Sequence, residues 1–346
     1  MEALVYTGPW SVELRQTAEP AVAGPDDVVV ELRAIGICGT DLGIVSGQYP
    51  PVRPPVVLGH EAAGVVHATG PAVTDLAPGD RVVIDPTYSC LHCRMCTTGR
   101  PNHCLRKDGT ECGVSADGMF RRLHRTQRRF LHRVPAHVPL EAAALTEPLS
   151  CAMTGVQQLH LRTDYSAAVV GGGPMGLLYA HALAARGVRG ALVEISGPRR
   201  ALAEKALPEG WSCAAALDAV TDREDIRGAG LDIVVDTSGH AVEAGLAGLA
   251  RGGQLLSVGL GGPPISVDPA VFADHSKRLV GSIDSLDGSF AAALDLIAAG
   301  RVPADRIVSH SYPLAEHRDA FARLGIDLVN GRRVPPGDAL KVVLTP

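Results

Sequence analysis

The segment from Ser166 to roughly Leu286 alternates short β-branched runs with Ala- and Leu-rich stretches. The runs AAVVG, ALVEI and DIVVD are each followed by such a stretch, for example PMGLLYAHALAARG and AVEAGLAGLARGG. A strand buried on both faces is almost entirely apolar, and a helix must carry the chain back before the next parallel strand begins. This rhythm predicts an α/β fold with a doubly wound parallel sheet that is covered by helices on both faces.

A glycine pattern follows the first of these predicted strands. In VVGGGPMG, the residues Gly171, Gly173 and Gly176 form G-x-G-x-x-G, with Pro174 and Met175 between the last two. The first glycine is expected to make a tight turn, the second to let the backbone approach a pyrophosphate, and the third to let helix pack on strand. A helix N-terminus there offers free N–H groups to an anion. The alternative is a glycine-rich turn without a ligand. The motif lies between a predicted strand and a predicted helix, however, and that position favours a dinucleotide-binding Rossmann domain.

An acidic residue lies where such a domain binds the adenosine ribose. Glu194 ends the second strand, 18 residues after Gly176. A carboxylate there accepts hydrogen bonds from the ribose hydroxyls and repels a 2′-phosphate, so we expect NAD, with NADP less favoured. Arg199 and Arg200 follow closely and are placed to contact either the adenosine or a phosphate.

Four cysteines lie within the stretch CLHCRMCTTGRPNHC, in a part of the chain that otherwise reads as β-rich. They follow the spacing C-x2-C-x2-C-x7-C and are Cys90, Cys93, Cys96 and Cys104. Four thiolates saturate a tetrahedral zinc ion and leave no position for a substrate. An iron–sulfur run has three residues before its last cysteine and a proline after it, and this stretch has neither. The spacing therefore predicts a structural zinc.

The overall composition excludes several classes of partner. The 346 residues carry a formal net charge of -5, which does not suit binding to a polyanion. The start of the chain lacks a basic segment followed by an apolar one, and no apolar run is long enough to span a membrane. We therefore expect a cytoplasmic protein with no nucleic-acid and no membrane partner.

One local stretch departs from this acidic balance. FRRLHRTQRRFLHR carries six arginines between Arg121 and Arg133. No nucleic-acid recognition module accompanies it, and exposed strand faces often carry such charge. Surface charge is the favoured interpretation, with a subunit contact or recognition of an anionic substrate group, for example by Arg122, as alternatives.

Three further stretches carry residues that suit a catalytic metal. GICGTD contains Cys38, GHEAAGVV contains His60 and Glu61, and TEPLSCAMTG contains Glu147. Zinc accepts thiolate, imidazole and carboxylate, and a catalytic zinc needs three protein ligands and one free position. Each residue alone has an ordinary interpretation as a buried thiol, a turn or a helix start. Only their combination points to a catalytic zinc.

Taken in order, these motifs closely resemble the zinc-dependent medium-chain alcohol/polyol dehydrogenase family. The resemblance extends from GICGTD through GGQLLSVGL to the closing ALKVVL, and the Glu-Pro-Leu segment is similar to that of sorbitol and threonine dehydrogenases. It implies a GroES-like catalytic domain with a structural zinc lobe over residues 1–155. A Rossmann NAD-binding domain over 156–290 and a return segment over 291–346 would follow.

The resemblance also implies roles for individual residues. Cys38 and His60 would bind the catalytic zinc directly. Glu61 and Glu147 would share the remaining positions, either binding the metal or holding its water, and Thr40 would relay the alcohol proton. Many family members have a histidine where this chain has Gly43, so the usual imidazole relay is absent. The cofactor contacts implied in addition to the glycine motif are Thr154, Val258, Gly259, Leu260, Ser282 and Ile283.

The function implied is hydride transfer between a secondary alcohol and NAD. A polyol, sugar or cyclitol is the favoured small-molecule substrate, and an amino alcohol of the threonine type is the alternative. Two zinc ions per chain are expected, one catalytic and one structural, in a homodimer or homotetramer. The rival interpretations are a non-catalytic NAD-binding relative and a zinc-free quinone reductase of the same fold.

Overall fold

A computed structural model describes the chain over residues 1–49, 52–286, 288–335 and 337–346. Its contacts divide the chain into two compact units. The first unit comprises Met1–Glu147, Ser285–Gly300 and Val308–Pro346, and the second comprises Pro148–Asp284 and Arg301–Ile307. The last part of the chain therefore belongs mainly to the same unit as the first part.

The secondary structure differs in character between three parts of the chain. The first part is mostly strands: β1 Glu2–Gly8, β2 Ser11–Gln16, β3 Asp27–Gly36, α1 Gly39–Val45, β4 Val56–Val57, β5 Glu61–Thr69, β6 Arg81–Ile84, α2 Arg94–Thr97, β7 Leu123–Gln127, β8 Leu131–Arg133, α3 Leu140–Ala143 and α4 Thr146–Gln157. The middle part alternates: β9 Ser166–Val170, α5 Pro174–Ala184, β10 Arg189–Val193, α6 Gly197–Glu204, β11 Trp211–Ala214, α7 Asp218–Thr221, β12 Leu231–Asp236, α8 Val242–Gly248, β13 Leu249–Ser257, α9 Pro269–Asp274 and β14 Arg278–Gly281. The last part is mixed: α10 Ser289–Ala298, α11 Ala304–Ile307, β15 Val308–Pro313, α12 His317–Arg323, β16 Ile326–Asp327, β17 Arg332–Arg333 and β18 Lys341–Thr345.

The second unit is built on a parallel sheet of six strands. Their order is β11-β10-β9-β12-β13-β14, and every neighbouring pair is parallel. This order places the chain reversal between β9 and β12, where doubly wound sheets bind their ligands at the carboxyl ends of the strands. Ala168, Val234 and Leu255 are fully buried in its core. The predicted doubly wound α/β fold is confirmed.

The first unit contains a sheet of seven strands. The order is β15-β18-β3-β5-β6-β8, and β7 also pairs with β3. Strand β3 is central: Gly36 at its end lies opposite Glu61 of β5 on one side and opposite Val343 of β18 on the other. Residues that are distant in the chain therefore meet at one end of β3, where the candidate site is located.

The basic stretch runs from just before β7 to β8, and several of its arginines are paired with acidic side chains. Arg128 contacts Asp75, and Arg133 contacts Asp80 at 2.9 Å. Arg122 contacts Glu19 on the surface. Exposed pairs of this kind contribute little free energy, but they neutralise the stretch, which favours surface charge as its interpretation. Within the described ranges, no helix has both the length and the apolar character needed to cross a bilayer.

Candidate active site

The four cysteines of the loop come together as a compact group. The Sγ–Sγ distances are 3.5 Å for Cys93–Cys96, 3.9 Å for Cys90–Cys96 and 4.0 Å for Cys93–Cys104. A tetrahedral zinc ion with Zn–S bonds of about 2.3 Å separates its sulfurs by roughly 3.8 Å. All four sulfurs lie within 4.8 Å of one another, so the group fits a closed zinc site.

Backbone N–H groups support these sulfurs. Cys104 Sγ accepts from the N–H of Cys90 at 3.3 Å and from that of Arg106 at 3.4 Å, and Cys90 Sγ accepts from the N–H of Cys93 at 3.3 Å. Such donors stabilise the thiolate form that binds metal. Backbone donors at Cys96 and Leu105 lower the pKa of Cys93 to about 6.

A second group of donors forms at the end of β3. Cys38 is the N-cap of α1, and His60 directly precedes β5, whose first residue is Glu61. One donor atom of each lies within 4.8 Å of the other two. Glu147 is buried in the first turn of α4 and acts electrostatically on His60, but it is not a member of that three-residue group.

The electrostatics of this group suit a cation. His60 Nδ1 is buried and has no hydrogen-bond partner among the described residues. Burial lowers the pKa of His60, yet the net shift is well above its usual value because Cys38, Asp41 and Glu147 surround it with negative charge. A thiolate, an imidazole and carboxylates form the donor set that zinc prefers, so the residues present fit a zinc ion.

The glycine motif of the second unit has the predicted local geometry. Gly171 has φ +109°, and a Cβ on Gly176 would lie 1.8 Å from the Gly171 carbonyl oxygen, so both positions require glycine. A Cβ on Gly173 would meet nothing within 4 Å, which leaves open space beside the backbone. Pro174 begins α5, and Met175 follows it in the first turn. The turn therefore fits the approach of a pyrophosphate.

The carboxylate of Glu194 connects this turn to the next helix. Its two oxygens accept hydrogen bonds from Gly172 N–H at 3.0 Å and from Ser196 N–H at 2.8 Å, and the Arg199 guanidinium lies 4.0 Å away. A Cβ on Gly172 would lie 2.6 Å from Glu194 Cβ, so this glycine is also required. The motif spacing alone did not identify that role.

The remaining predicted cofactor contacts lie at the carboxyl ends of neighbouring strands. Val258, Gly259 and Leu260 follow β13, and Ser282 and Ile283 follow β14. Carboxyl ends of parallel strands share one edge of the sheet, so these residues lie at the same edge as the glycine motif.

Sequence reasoning missed a buried acid at that edge. Asp236 ends β12, is fully buried, and accepts from the N–H groups of Ser238, Gly239 and Ala241 at 2.9 to 3.1 Å. It orders the loop after β12. The signal available in the sequence was the aspartate that ends the apolar run DIVVD.

Comparison with known proteins identifies the family. Residues 24–136 match the alcohol dehydrogenase GroES-like domain, and residues 174–299 match the zinc-binding dehydrogenase family. A sorbitol dehydrogenase of Halalkalibacterium halodurans is 32% identical over 356 residues, which cover 100% of this chain and 99% of that protein. The chain belongs to the zinc-dependent medium-chain polyol dehydrogenase family.

Three further dehydrogenases and reductases resemble this chain over nearly its whole length. A D-xylulose reductase A of Aspergillus oryzae is 30% identical over 333 residues, covering 92% of each protein. The solved alcohol dehydrogenase of Thermus sp. ATN1 has a TM-score of 0.85 and 28% identity, with 100% of this chain and 99% of that chain covered. A zinc-binding dehydrogenase of Sinorhizobium meliloti, solved bound to NADP, has a TM-score of 0.87 and 29% identity, with the same coverage.

Membership in the medium-chain dehydrogenases establishes the reaction class. The chain is a zinc-dependent oxidoreductase that acts on CH–OH groups of alcohols and polyols, and zinc and a nicotinamide dinucleotide are its cofactors. The predicted family, the GroES-like and Rossmann fold classes, the enzyme class and the cofactor types are thereby confirmed.

Two threonines were expected to act in catalysis and cofactor binding by this dehydrogenase. Thr40 lies in the first turn of α1, two residues after Cys38, and is half-buried. Thr154 is fully buried in α4. Gly43 lies against Tyr49, since a Cβ there would be 3.4 Å from Tyr49 Cβ.

A buried aspartate links the two loops that carry Cys38 and His60 in this dehydrogenase. Asp41 is fully buried and accepts from Cys38 N–H at 2.8 Å and from Gly59 N–H at 3.1 Å. Burial raises its pKa, although His60 and these donors oppose the shift. Sequence reasoning did not single it out, because its second partner lies 18 residues away.

We expect Asp41→Asn to weaken zinc binding at this site by about 10–100-fold, the usual effect of losing a partner that orients the ligands. The reason is that the amide cannot accept both backbone hydrogen bonds with the same strength. Competition with a chelator, followed by zinc analysis, measures the change. Asp117→Asn is the matched control, since Asp117 accepts one backbone hydrogen bond from Val57 at 3.0 Å. Equal zinc affinity in the two variants would show that Asp41 merely caps a helix.

A buried lysine lies beside the same group. Lys341 Nζ donates to both carboxylate oxygens of Glu61, at 2.8 and 2.6 Å, and to the Ile37 carbonyl oxygen at 3.2 Å. The sequence signal was a charged residue directly before the apolar run VVL in ALKVVL. Its partner could not be read from that signal, because the two residues lie 280 positions apart.

Proposed function

We propose that this dehydrogenase oxidises a secondary alcohol of a polyol, sugar or cyclitol to the ketone with NAD, releasing NADH and a proton. Cys38 and His60 hold the catalytic zinc, and one of Glu61 and Glu147 completes the protein ligands. The observation that carries this assignment is the group of sulfur, nitrogen and carboxylate donors formed by half-buried Cys38, half-buried His60 and buried Glu61, in which His60 Nδ1 has no hydrogen-bond partner among the described residues. Cys90, Cys93, Cys96 and Cys104 hold a second, structural zinc.

Binding of the substrate and binding of the cofactor are assigned to different parts of the chain. The catalytic domain, proposed as residues 1–155 with the return segment 291–346, binds the substrate, and residues 156–290 bind NAD. When bound, zinc supplies a Lewis acid that lowers the pKa of the substrate hydroxyl, and the nicotinamide accepts the hydride. Thr40 takes the hydroxyl proton and Thr154 orients the nicotinamide. Because Gly43 has no imidazole, water or a ribose hydroxyl carries the proton onward.

The polyol preference rests on the relatives and on one motif. The sorbitol dehydrogenase and D-xylulose reductase relatives are named for polyol or sugar chemistry. The segment Glu147–Pro148–Leu149 supplies a carboxylate near the zinc group, as in the polyol branch that the chain resembles.

Substrate screening tests the proposal. Zinc-replete protein is incubated with NAD and a panel of polyols, sugars, cyclitols and amino alcohols, and NADH formation is followed at each. We expect turnover in the polyol, sugar or cyclitol arm. If only an amino alcohol of the threonine type were turned over, the substrate class would be amino alcohols and not polyols, sugars or cyclitols. Binding of zinc and NAD without turnover in any arm would contradict the proposed substrates.

The choice of NAD over NADP has its own test, prompted by the NADP-bound relative. Glu194→Gln removes the charge that repels a 2′-phosphate and weakens hydrogen bonding to the ribose. Loss of a charged hydrogen bond removes about 1.5–3 kcal/mol. We therefore expect kcat/KM for NAD to fall roughly ten- to hundredfold relative to that for NADP. Steady-state kinetics with both cofactors measure it, and Glu204→Gln on the exposed face of α6 is the control. An unchanged cofactor ratio would contradict the role.

We also propose a cytoplasmic homodimer or homotetramer. Strand β14 is an edge strand of the six-stranded sheet, and no strand of the described residues pairs with its outer edge. Four large apolar side chains between 38% and 44% exposed lie on β14 or in the segment that precedes it: Ile265, Val267, Val271 and Leu279. A second copy of the chain that pairs along this edge would cover them.

Sedimentation velocity tests this assembly. We expect Leu279→Lys to shift the wild-type oligomer toward monomer, because a charge on the edge strand opposes strand pairing. Arg251→Lys, at an exposed position before β14, is the control. A monomeric wild type, or an oligomer that Leu279→Lys leaves intact, would contradict assembly through this edge.

A further inference from the structure

The loop that follows β12 is held by one buried carboxylate. Asp236, the last residue of β12, is fully buried. Its Oδ1 accepts from the Ser238 N–H at 2.9 Å, from the Ser238 hydroxyl at 2.6 Å and from the Gly239 N–H at 3.1 Å. Its Oδ2 accepts from the Ala241 N–H at 3.1 Å. Both carboxylate oxygens therefore fix the backbone of residues 237–241, which we call the β12 loop.

A second loop lies directly against the β12 loop. It consists of residues 258–262, follows β13, and is named the β13 loop. The N–H of Gly259 donates to the Asp236 carbonyl oxygen at 3.1 Å. A Cβ on Gly259 would lie 2.1 Å from the Gly239 nitrogen, and a Cβ on Gly262 would lie 1.9 Å from the Gly239 carbonyl oxygen. The two backbones are in direct contact, and a side chain at either glycine would force them apart.

The β12 loop also contacts the turn of the glycine motif. The Thr237 hydroxyl donates to the Val170 carbonyl oxygen at 2.9 Å, and the Thr237 N–H donates to the same oxygen at 3.0 Å. A Cβ on Gly171 would lie 2.5 Å from Thr237 Oγ1. The β12 loop therefore lies between the turn at Gly171 and the β13 loop, where the strand order passes from β9 to β12.

The strand order indicates which half of NAD the two loops meet. Glu194, which is proposed to bind the adenosine ribose, follows β10, and the turn at Gly171 follows β9. The next two strands in the same direction across the sheet are β12 and β13. A dinucleotide lies across the carboxyl ends of the strands at such a reversal. With the adenosine half beside β10 and the pyrophosphate beside β9, the nicotinamide half extends toward the β12 and β13 loops.

We propose that Asp236 is a positioning residue for binding of the nicotinamide half of the cofactor. Its carboxylate fixes the β12 loop, and the β12 loop fixes the backbone of the β13 loop. This inference rests on the proposed function, in which residues 258–260 contact NAD. A loop that is already ordered in the free protein loses less conformational entropy when the cofactor binds. The carboxylate therefore raises the affinity for the nicotinamide half through the two loops.

The test compares NADH with ADP, which has the adenosine and the two phosphates but no nicotinamide. Isothermal titration calorimetry of the zinc-replete protein measures Kd for each ligand. Asp236→Asn replaces one acceptor oxygen by an NH2 group, which cannot accept from a backbone N–H. Because hydrogen bonds to a charged group are lost, we expect Kd for NADH to rise about tenfold or more. Kd for ADP should stay close to the wild-type value.

A matched aspartate on the same strand provides the control. Asp232, near the start of β12, accepts from the Ser166 N–H at 2.8 Å and from the Ser166 hydroxyl at 2.9 Å. It lies far from the carboxyl end of the strand, so Asp232→Asn should leave Kd for both ligands unchanged.

A second variant disturbs the contact between the loops without changing the carboxylate. Gly262→Ala places a Cβ against the Gly239 carbonyl oxygen and should also raise Kd for NADH and not Kd for ADP. Combined with Asp236→Asn, it should raise Kd for NADH by less than the product of the two single effects, because both changes disturb the same pair of loops.

The outcomes distinguish the inference from the proposed function. Unchanged NADH binding in Asp236→Asn, or an equal loss of NADH and ADP binding, would overturn the role of Asp236 and leave the proposed function standing. If Asp236→Asn does not fold, Gly262→Ala decides by the same two criteria. A wild-type protein that binds ADP but not NADH would overturn the proposed function and the inference together.

Discussion

Cys38→Ala is expected to abolish zinc binding at the catalytic group and to lower kcat/KM for the alcohol by at least about a thousandfold. Among the described residues, Cys38 supplies the one sulfur donor of that group, and this sulfur lies within 4.8 Å of the donors of His60 and Glu61. A metal ion contributes several kcal/mol to stabilising charge in the transition state. Each loss of about 1.4 kcal/mol lowers the rate tenfold. Metal analysis should find about one zinc per chain instead of about two.

A matched thiol provides the control for this result. Cys213 is a half-buried free cysteine whose Sγ lies 3.9 Å from the Arg200 carbonyl oxygen, and Cys213→Ala should keep both zinc ions and full activity. NADH formation with the best substrate of the panel is the readout. Turnover by Cys38→Ala at the wild-type rate would refute the catalytic zinc, whatever its metal content.

Cys93→Ser is expected to remove the structural zinc and to destabilise its lobe by several kcal/mol. Between Cys90 and Cys104 the regular structure consists only of α2, with four residues, and one 3₁₀ turn. Leu91 and Leu105 are 59% and 66% exposed, so little apolar burial holds the loop. Zinc binding to such sites contributes about 10–16 kcal/mol to the folding of zinc-finger peptides. We expect a smaller loss of folding free energy here, because the sheet around this lobe stays intact.

Three measurements check the effect of Cys93→Ser. Zinc content should fall to about one per chain, the melting temperature should fall, and limited proteolysis should cut within residues 90–104. His92→Ala is the control in the same loop, because the imidazole hydrogen-bonds with the Cys90 carbonyl oxygen and is not one of the four clustered sulfur donors. Unchanged zinc content would contradict the structural site. Loss of both zinc ions would instead mean that the lobe and the catalytic group are coupled.

The fold of the second unit was predictable because its signals are local. Strands β9, β10 and β12 carry short apolar runs, each crossover contains a helix, and the turn at Gly171 needs a positive φ. A parallel strand buried on both faces and a return helix leave few topologies open. The order of the six strands was not in those signals, since it depends on which strands pair.

The candidate site was predictable only in part. Cys38, His60 and Glu61 are marked by residue type and by motif, and the structure brings them together. Asp41 and Lys341 are not marked, because their roles depend on partners 18 and 280 positions away. The propensity of a residue carries no information about such a partner.

The amino-acid sequence by itself indicated the family through motifs that occur in the family's order along the whole chain. Residue types at short spacing predicted the four-cysteine zinc site and the dinucleotide turn. Only the tertiary structure decided that Gly36 leaves room for the Glu61 carboxylate and that both of its oxygens are bound by Lys341. The physical reason is that β3 pairs with β5 on one side and with β18 on the other. Strand pairing brings Glu61 and Lys341 together although they are far apart in the chain. Because both side chains are buried, each charge needs the opposite charge beside it.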